Sequence, residues 1–357
     1  MVDPFISVVV PTYNRRASLL RLLPALGGQS YPAEQFEVIV VDDGSSDGTP
    51  DAVRRLELPY RLHVLIQDTN QGPAAARNRG VEHARGVIVL FLDDDVVPLA
   101  DLVARHAQLH KVQLGVVVVG PMMAPREWPR PAWVRWEEDM LERQYHEMLA
   151  GKYPCTPRQF YTANASLRRA DFEAVGGFDP AFKRAEDVEL AYRLRDRGAR
   201  FVFNPHAQVL HYAARSFASW RRAAYLYGRY DVVMEREKGH EALRCAAEEF
   251  LRRRPLNRQL TRLCVGRPLL LDGALLALGA LAVGADRLGA TRPAAAALSG
   301  IFGLLYWQGA CDELGGRKAM WSAVAQGGVL STDVFRPVSP PAMVMDSAGA
   351  TEGFARG

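Results

Sequence analysis

Short apolar runs alternate with helical patterns over the first 120 residues of the chain. The runs predict strands at 7–10, 37–41, 61–66, 87–92 and 115–120. Between them, apolar positions recur every three to four residues and predict helices at 17–26, 50–58, 73–83 and 99–110. This alternation is typical of an α/β fold in which helices cover a parallel sheet.

Polar side chains cluster at the ends of three predicted strands. They are Thr12, Tyr13 and Asn14 after the first strand, Asp42 and Asp43 after the second, and Asp93, Asp94 and Asp95 after the fourth. Parallel sheets bind ligands outside the carboxyl ends of their strands, so these groups are expected to meet at one edge. The sequence therefore predicts a ligand site there.

The three consecutive aspartates are the most informative of these groups. Carboxylates at the end of a buried strand repel one another and lose hydration, which a cation would offset. Oxygen ligands favour Mg²⁺ or Mn²⁺, and Mg²⁺ is commonly held by one or two carboxylates and substrate phosphates. A solvated turn that uses aspartates as helix caps explains a bare triplet equally well. The convergence of polar groups at the same edge favours the metal site.

A further polar motif starts the helix predicted at 73–83. Gly72 and Pro73 would begin this helix and place free backbone N–H groups at the ligand edge. Arg77 lies on the same helix and is predicted to meet an anion. An ordinary surface arginine is the alternative.

The pattern changes after residue 120. Residues 121–159 are rich in proline, tryptophan and charge and include a predicted helix at 134–149. Such a stretch caps an active site or belongs to the core, and aromatics at helical spacing favour the core. A helix at 185–198, which begins with Glu186 and Asp187, and a strand at 200–203 follow.

The C-terminal third has a different character. Arginines crowd residues 252–267, and apolar stretches follow at 268–285 and 293–310. Each is about the minimum length for crossing a bilayer, and Asp272 and Gln308 weaken that interpretation. The stretches form either a spanning or re-entrant hairpin with its basic flank in the cytoplasm, or two buried helices. We expect membrane attachment, and a disordered tail from Ser331 to the end.

Composition excludes several classes of protein. The 357 residues, 48% hydrophobic and 24% charged, are sufficient for a substantial core in one or two domains. A net charge of +4 is too small to indicate a nucleic-acid-binding protein. Cys155, Cys245, Cys264 and Cys311 show no zinc or CxxC spacing, which fits reduced thiols in the cytosol. No signal-peptide pattern opens the chain, so the catalytic part is expected to face the cytoplasm.

Four motifs follow one another between residues 5 and 98: SVVVPTYNR, VIVVDDGSSDGT, NQGPAAARNRG and FLDDD. Together they resemble the nucleotide-sugar-binding half of family 2 glycosyltransferases with the GT-A fold. Motifs similar to the family's acceptor side, at 164–166, 176–179 and 185–187, extend the resemblance to about residues 5–235. It implies a catalytic domain at 1–235, with halves at 1–120 and 121–235. A helical region at 236–330, either membrane-associated or soluble, and a tail at 331–357 would follow.

The resemblance implies a donor site and a metal site. The implied contacts to the nucleoside-diphosphate sugar come from Pro11, Tyr13, Asp43, Arg77, Asp93 and Asp94. Asp95 is the implied ligand of a divalent cation, Mn²⁺ or Mg²⁺, and His211 is a further ligand or a diphosphate contact, with His206 as its competitor. Of the three aspartates, Asp94 is expected to tolerate replacement best, because it lies on the opposite pleat.

On the acceptor side, the resemblance implies contacts by Asn164 and Glu186 and makes Asp187 the general base. Inverting transfer needs one carboxylate opposite the leaving diphosphate, while a cation and cationic side chains stabilise the leaving charge. A helix N-terminus lowers the pKa of Asp187, and an apolar pocket around Phe178 would offset that effect.

One departure separates this chain from the processive polysaccharide synthases of the same broad family. Those enzymes carry a Gln-x-x-Arg-Trp motif and many spanning helices, whereas this chain reads Ser-Trp-Arg-Arg-Ala at 219–223 and offers at most one hairpin. We therefore expect transfer of a single sugar to a hydroxyl acceptor. The expected setting is cell-envelope polysaccharide or glycolipid assembly at the inner face of the membrane, with no nucleic-acid partner. A nucleotidyltransferase and a catalytically silent nucleotide-sugar-binding scaffold are the alternatives.

Overall fold

The computed structural model describes residues 3–253 and 255–326 of the chain. Within these ranges the strands are β1 Ile6–Thr12, β2 Phe36–Asp42, β3 Arg61–Ile66, β4 Ile88–Leu92, β5 Val96–Pro98, β6 Val116–Val119, β7 Met122–Met123, β8 Asn164–Arg168, β9 Arg200–Phe203 and β10 Val209–His211. The helices are α1 Arg16–Gly27, α2 Thr49–Arg54, α3 Pro73–Glu82, α4 Leu102–Val112, α5 Ala132–Leu149, α6 Arg169–Ala174, α7 Glu186–Asp196, α8 Phe217–Lys238, α9 Ala242–Arg252, α10 Pro255–Cys264, α11 Pro268–Arg287, α12 Thr291–Glu313 and α13 Arg317–Ala325.

A seven-stranded sheet in the order β3-β2-β1-β4-β8-β6-β9 forms the centre of the catalytic region. Strands β3, β2, β1 and β4 are parallel neighbours, and their register pairs Thr12 with Asp42 and Val9 with Phe91. The ends of β1, β2 and β4 therefore lie side by side. This places the polar groups that follow them at one edge, as the strand-end argument predicts.

The five predicted strands and four predicted helices of this half are confirmed, although α2 ends at Arg54, four residues earlier than expected. The sheet is only mostly parallel, because β8 runs antiparallel between β4 and β6. The sequence of β8, NASLR, has no β-branched residue and only two apolar ones, so its strand signal is weak. Its polar Ser166 is nevertheless buried, because the hydroxyl lies 2.7 and 2.8 Å from ring nitrogens of His106 and His110.

Apolar residues cover both faces of the sheet. One face packs Val8, Val38 and Leu90 against α1 and α4, and the other packs Val9, Ile39 and Phe91 against α3 and α6. A small sheet, β5-β10-β7, lies at the carboxyl edge of the main sheet. It holds the turn that contains the three aspartates close to the end of β10.

A second core joins α8 to the C-terminal helices. Helix α12 packs along α8, and two glycines make the close approach possible: a Cβ on Gly228 would lie 1.8 Å from the carbonyl oxygen of Tyr306, and one on Gly309 would lie 2.0 Å from that of Tyr225. Trp136 of α5 packs against Trp220 and Phe302 in this core. The interpretation of the tryptophan-rich stretch as core is correct for Trp136.

Two helices are long and apolar enough to cross a membrane by length and composition, Pro268–Arg287 and Thr291–Glu313. They differ in burial, since 17% of the most apolar window of α11 is buried inside the protein but 61% of that of α12. Helix α12 therefore behaves as a buried helix, and α11 forms an outer layer on it. The predicted tail from Ser331 onward lies outside the described residues.

Candidate active site

A cavity of about 460 Å³ opens at the carboxyl edge of the sheet. Ten of the eleven candidate residues line it: Pro11, Tyr13, Asp43, Arg77, Asp93, Asp94, Asp95, Glu186, Asp187 and His211. They come from β1, β2, α3, α7, β10 and the turn after β4, so segments far apart in sequence build one site. His206 is absent from the lining of this cavity, which favours His211 over its competitor.

Asp43 organises the part of the cavity at the end of β2. Its carboxylate accepts hydrogen bonds from the backbone N–H groups of Gln71 and Gly72, both at 2.8 Å, and from the side-chain amide of Gln67. The N–H groups at the start of α3 are thus partly occupied by Asp43, which corrects the expectation that they are free for a ligand. Tyr13 lies half-exposed at the mouth, where its ring is available for stacking.

The turn after β4 aims all three aspartates into the cavity. Asp94 accepts a hydrogen bond from the Thr12 hydroxyl at 2.7 Å, and burial raises the pKa of Asp94 to about 7. The expectation that Asp94 lies on the opposite pleat is wrong, because β4 ends at Leu92 and the triplet lies in a turn rather than in the strand. Asp94 is thus held at the end of β1.

Asp95 and His211 form the candidate metal-binding pair. The His211 Nε2 atom lies 3.5 Å from Oδ1 of Asp95. Although burial opposes it, the contact with His211 and the charges of Arg15 and Arg215 lower the pKa of Asp95, so its carboxylate is ionised at neutral pH. Burial lowers the pKa of His211, but the Asp95 carboxylate outweighs that effect and raises it overall.

These two side chains fit a divalent cation that also binds the substrate. Among residues 3–253 and 255–326, no group of three or more His, Cys, Asp or Glu side chains is arranged to hold a metal by itself. A carboxylate oxygen and an imidazole nitrogen facing one cavity supply two ligands, and diphosphate oxygens and water would have to supply the others. Such a cation would bind with the donor rather than in a closed protein cage.

Arg77 joins the two halves of the site. Its guanidinium is 5% exposed and donates to Asp93 at 2.7 Å and to Glu186 at 3.0 Å. It also lies over the ring of Phe178, 5.6 Å from the centroid. Arg77 is therefore a buried ion-pair partner that reaches from the aspartate turn to the start of α7, and the surface alternative is wrong.

The loop before α7 is fixed by a residue of the same helix that carries Arg77. Asn78 of α3 donates to the carbonyl of Phe178 and accepts from its N–H, both at 2.8 Å. The ring of Phe178 packs against Phe91 and Phe172 in the core. Phe178 does not line the cavity, so the expected apolar pocket around it is replaced by a core contact that positions the loop.

Asp187 faces the cavity from the N-terminus of α7. Burial raises the pKa of Asp187, the neighbouring Glu186 carboxylate raises it further, and Arg77 and Arg184 act in the opposite direction. The raised pKa contrasts with the expectation from a helix N-terminus, because loss of hydration outweighs the helix dipole here. Ala185, just before the pair, has φ 58°, a left-handed backbone conformation that is rare outside glycine and that recurs at functional sites.

Asn164 is the one candidate residue that the structure places outside the cavity. Its side chain is fully buried, donates to the carbonyls of Ala207 at 2.8 Å and Pro121 at 3.2 Å, and lies 3.0 Å from Nε2 of His106. A side chain with its amide committed in this way has no free donor for an acceptor sugar. The assignment of Asn164 to acceptor contact is corrected to a structural role that ties β8 to the loops beside β6 and β10.

Comparison with known proteins identifies the family of this chain. The model of the family described as glycosyl transferase family 2 matches residues 7–176. Glycosyltransferase AglE of Haloferax volcanii is 31% identical over 234 residues, which is 64% of this chain and 73% of that protein. The chain belongs to glycosyl transferase family 2. It is a glycosyltransferase, and neither a nucleotidyltransferase nor a silent scaffold is needed to explain the site.

Another relative of this glycosyltransferase has a different named activity. Validoxylamine A glucosyltransferase of Streptomyces hygroscopicus subsp. jinggangensis is 37% identical over 223 residues, 55% of this chain and 52% of that protein. The chain therefore matches about half the length of that relative. The relatives differ in their named activities, so the family alone does not fix a donor or an acceptor.

Solved structures have the same fold. A mannosyltransferase from Pyrobaculum calidifontis, in complex with GDP-Man and Mn²⁺, superposes with a TM-score of 0.54 and 25% identity, over 84% of this chain and 86% of that one. Staphylococcus aureus TarS 1-349 in complex with UDP gives a TM-score of 0.50 at 20% identity, over 90% and 91% of the two chains. The fold is therefore the GT-A fold, with a C-terminal helical region.

Several cavity residues of the glycosyltransferase were not found from the sequence. Arg15 ends the motif SVVVPTYNR, and Arg184 lies two residues before the Glu186–Asp187 pair; these positions were the available signals. Tyr161, Arg215 and Tyr227 also line the cavity. They carry no signal in the sequence, because loops and the α8 helix outside the motifs bring them to the site.

Proposed function

We propose that this glycosyltransferase moves a single sugar from a nucleoside-diphosphate sugar to a hydroxyl acceptor, with inversion and with the help of a divalent cation. The observation that carries the proposal is the presence, in one cavity, of the Asp95–His211 pair and of a partly buried Asp187 with a raised pKa. Burial raises the pKa of Asp187 to about 7, so this base is a stronger proton acceptor than an ordinary aspartate, and about half of it is ionised at neutral pH.

The donor would bind across the β1, β2 and β4 ends. Tyr13 offers a ring for the base, and Asp43, next to it at the end of β2, has remaining lone pairs for a polar group of the nucleotide. Arg15 and Arg215 line the same cavity near Asp95 and supply positive charge toward a diphosphate. Asp95 and His211 are the residues that would hold the cation, which when bound stabilises the negative charge of the leaving diphosphate.

The transfer step follows from the position of Asp187. The Asp187 carboxylate takes the proton of the acceptor hydroxyl as the oxygen forms a bond to the anomeric carbon. The bond from that carbon to the diphosphate oxygen breaks on the opposite side, and its electron pair leaves with the diphosphate. One carboxylate acting as base, without a covalent intermediate, gives inversion at the anomeric carbon, as it does in inverting glycosidases.

Glu186 and Arg77 position this base. Glu186 is held by Arg77, which is itself held by Asp93, so the start of α7 is tied to the donor side of the cavity. Tyr161, Arg184 and Tyr227 line the acceptor side, and Arg184 donates to the Tyr227 hydroxyl at 2.8 Å. These groups offer an aromatic and cationic surface for a glycan or a lipid-linked sugar.

The setting we propose is the cytoplasmic face of a membrane, in the assembly of a cell-envelope polysaccharide or glycolipid. Support comes from the apolar outer helix α11 and from the basic segment before it. Transfer of one sugar, rather than polymerisation, is supported by the absence of the Gln-x-x-Arg-Trp motif at 219–223.

Incubation of the purified protein with UDP-, GDP- and dTDP-sugars tests this function. We expect release of nucleoside diphosphate from one class of donor in the presence of Mn²⁺ or Mg²⁺, and loss of release with a chelator. Asp187→Asn should still bind the nucleoside diphosphate but lose about 100-fold or more in turnover, since it cannot accept a proton. Full activity in Asp187→Asn, or no turnover with any donor, would contradict the proposal.

A further inference from the structure

We propose that the outer face of α11 docks the protein onto an anionic lipid bilayer, with the helix lying along the membrane surface rather than crossing the membrane. The proposal specifies the orientation of the protein on the membrane and the part of the protein surface that contacts the lipid. Vesicle binding does not require turnover, so the two proposals are tested separately. Membrane docking can fail while the transferase activity is confirmed, and the activity can fail while docking is confirmed.

The outer face of α11 is mostly apolar, with the exposed Asp272 as an interruption near the start of the helix. Leu269, Leu276 and Val283 are spaced seven residues apart and therefore lie on one side of the helix. The side chains of Leu269, Leu276 and Leu288 are 89%, 76% and 85% exposed. Leu288 lies just beyond the end of the helix. Single exposed leucines are ordinary, but the exposed Leu269, Leu276 and Val283 in one row mark a surface with a partner.

Arginines flank this apolar face at both ends. Residues 252–292 contain eight arginines and two aspartates and no lysine or glutamate. Arg262 and Arg267 are exposed just before α11, and Arg287 and Arg292 are exposed at its other end. Apolar side chains bordered by arginine match a bilayer with anionic headgroups, where each cation near the surface adds to binding. A second copy of the chain would bring its own arginines against these, so the charge favours lipid over self-association.

Contacts of the hairpin with the catalytic region argue against crossing. Near the turn between α11 and α12, Asp286 forms an ion pair with Arg135 of α5. At the far end of α12, Glu313 accepts from Arg229 and Arg236 of α8, each at 2.7 Å. Charged side chains that pack against the hairpin thus lie at both of its ends. A hairpin that crossed the bilayer would carry these charges into the hydrocarbon, which is unfavourable.

The same packing connects the docking face to the cavity. Tyr227 of α8 lines the acceptor side, α12 packs on α8, and α11 packs on α12. The membrane surface would therefore lie two helices away from the acceptor side of the site. This rests on the proposed function and deepens it, because it makes an acceptor carried by a membrane lipid the natural substrate class.

Vesicle co-sedimentation of the full chain tests the docking face. Vesicles of phosphatidylcholine mixed with phosphatidylglycerol should bind the protein about tenfold or more tightly than vesicles of phosphatidylcholine alone, and high salt should weaken the binding. The triple variant Leu269→Gln, Leu276→Gln, Leu288→Gln should lose about tenfold or more in binding. These side chains are exposed, so the variant is expected to keep its unfolding temperature, and its nucleoside-diphosphate release in solution should be unchanged.

Matched control variants test whether the outer face of α11 is the surface that binds the vesicles. Val112→Gln with Leu114→Gln removes two exposed apolar side chains, 66% and 70% exposed, at a distant site and should leave binding unchanged. Arg287→Gln with Arg292→Gln should weaken binding to the anionic vesicles, whereas Arg54→Gln with Arg55→Gln on α2 should not. Equal binding by the leucine variant and the wild type would overturn the proposal. So would a dimer in light scattering that the leucine variant converts to a monomer, without any vesicle binding by the wild type.

Discussion

Glu186 and Asp187 are adjacent carboxylates with different environments. Glu186 forms an ion pair with Arg77, while Asp187 has no ion-pair partner within 4.0 Å among the described residues and faces the cavity. Loss of hydration and the charge of Glu186 raise the pKa of Asp187. Under the proposed function, these neighbouring residues divide into a structural anion and a proton acceptor, a division that the motif alone does not reveal.

The pH dependence of turnover should report this division. Because the ionised form of Asp187 is the base, activity should fall as the pH drops through a pKa that lies above the ordinary aspartate value of about 3.9. Glu186→Gln removes a negative neighbour, lowers the pKa of Asp187 and should move the acidic limb of kcat/KM to lower pH. Arg184→Gln removes a positive neighbour and should move it to higher pH. An acidic limb of kcat/KM at the same pH in the wild type, Glu186→Gln and Arg184→Gln would contradict the assignment of Asp187 as the titrating base.

At the scale of secondary structure, the predicted positions of the strand ends located much of the site. The order of short apolar runs placed Tyr13, Asp43 and the aspartate triplet at one edge, because parallel neighbours in register share that edge. The orientation of Asp94 was not predictable by assuming that the strand pleat continues, since a turn begins at Asp93. Asn164 was misplaced for a similar reason. Strand β8 alternates polar residues with Ala165 and Leu167, which is the pattern of a half-buried strand and gives no sign that Asn164 and Ser166 are buried as well.

The contact between α8 and α12 depends on two glycines. Ala at position 228 or 309 would place a Cβ about 2 Å from a backbone carbonyl of the facing helix and force the helices apart. We expect Gly228→Ala or Gly309→Ala to lower the free energy of unfolding by about 1–3 kcal/mol or more, as overpacking does. Denaturant unfolding measures this change.

Gly273→Ala is the matched control. Gly273 lies on α11 with no atom within 4 Å of its added Cβ, so alanine should be neutral or stabilising by up to about 1 kcal/mol. A loss of stability at Gly273 as large as at Gly228 would show that the close helix contact is not the cause.

The whole molecule is a GT-A catalytic region with a helical layer on one side. Hydropathy predicted two apolar stretches of similar length, but it did not show that α12 is buried against α8 while α11 is exposed. That difference arises from long-range packing around Tyr225, Gly228 and Glu313, which local sequence patterns do not encode. One wall of the cavity depends on the same packing, because α8 supplies Tyr227.

The stereochemistry of the first product tests the central claim, transfer by a single carboxylate base, most directly. Water or an added alcohol serves as acceptor. Proton NMR of the sugar product during early turnover then gives its anomeric configuration before mutarotation. The arrangement of Asp187 predicts the configuration opposite to that of the donor, with this product absent in Asp187→Asn. A product that retains the donor configuration would contradict it.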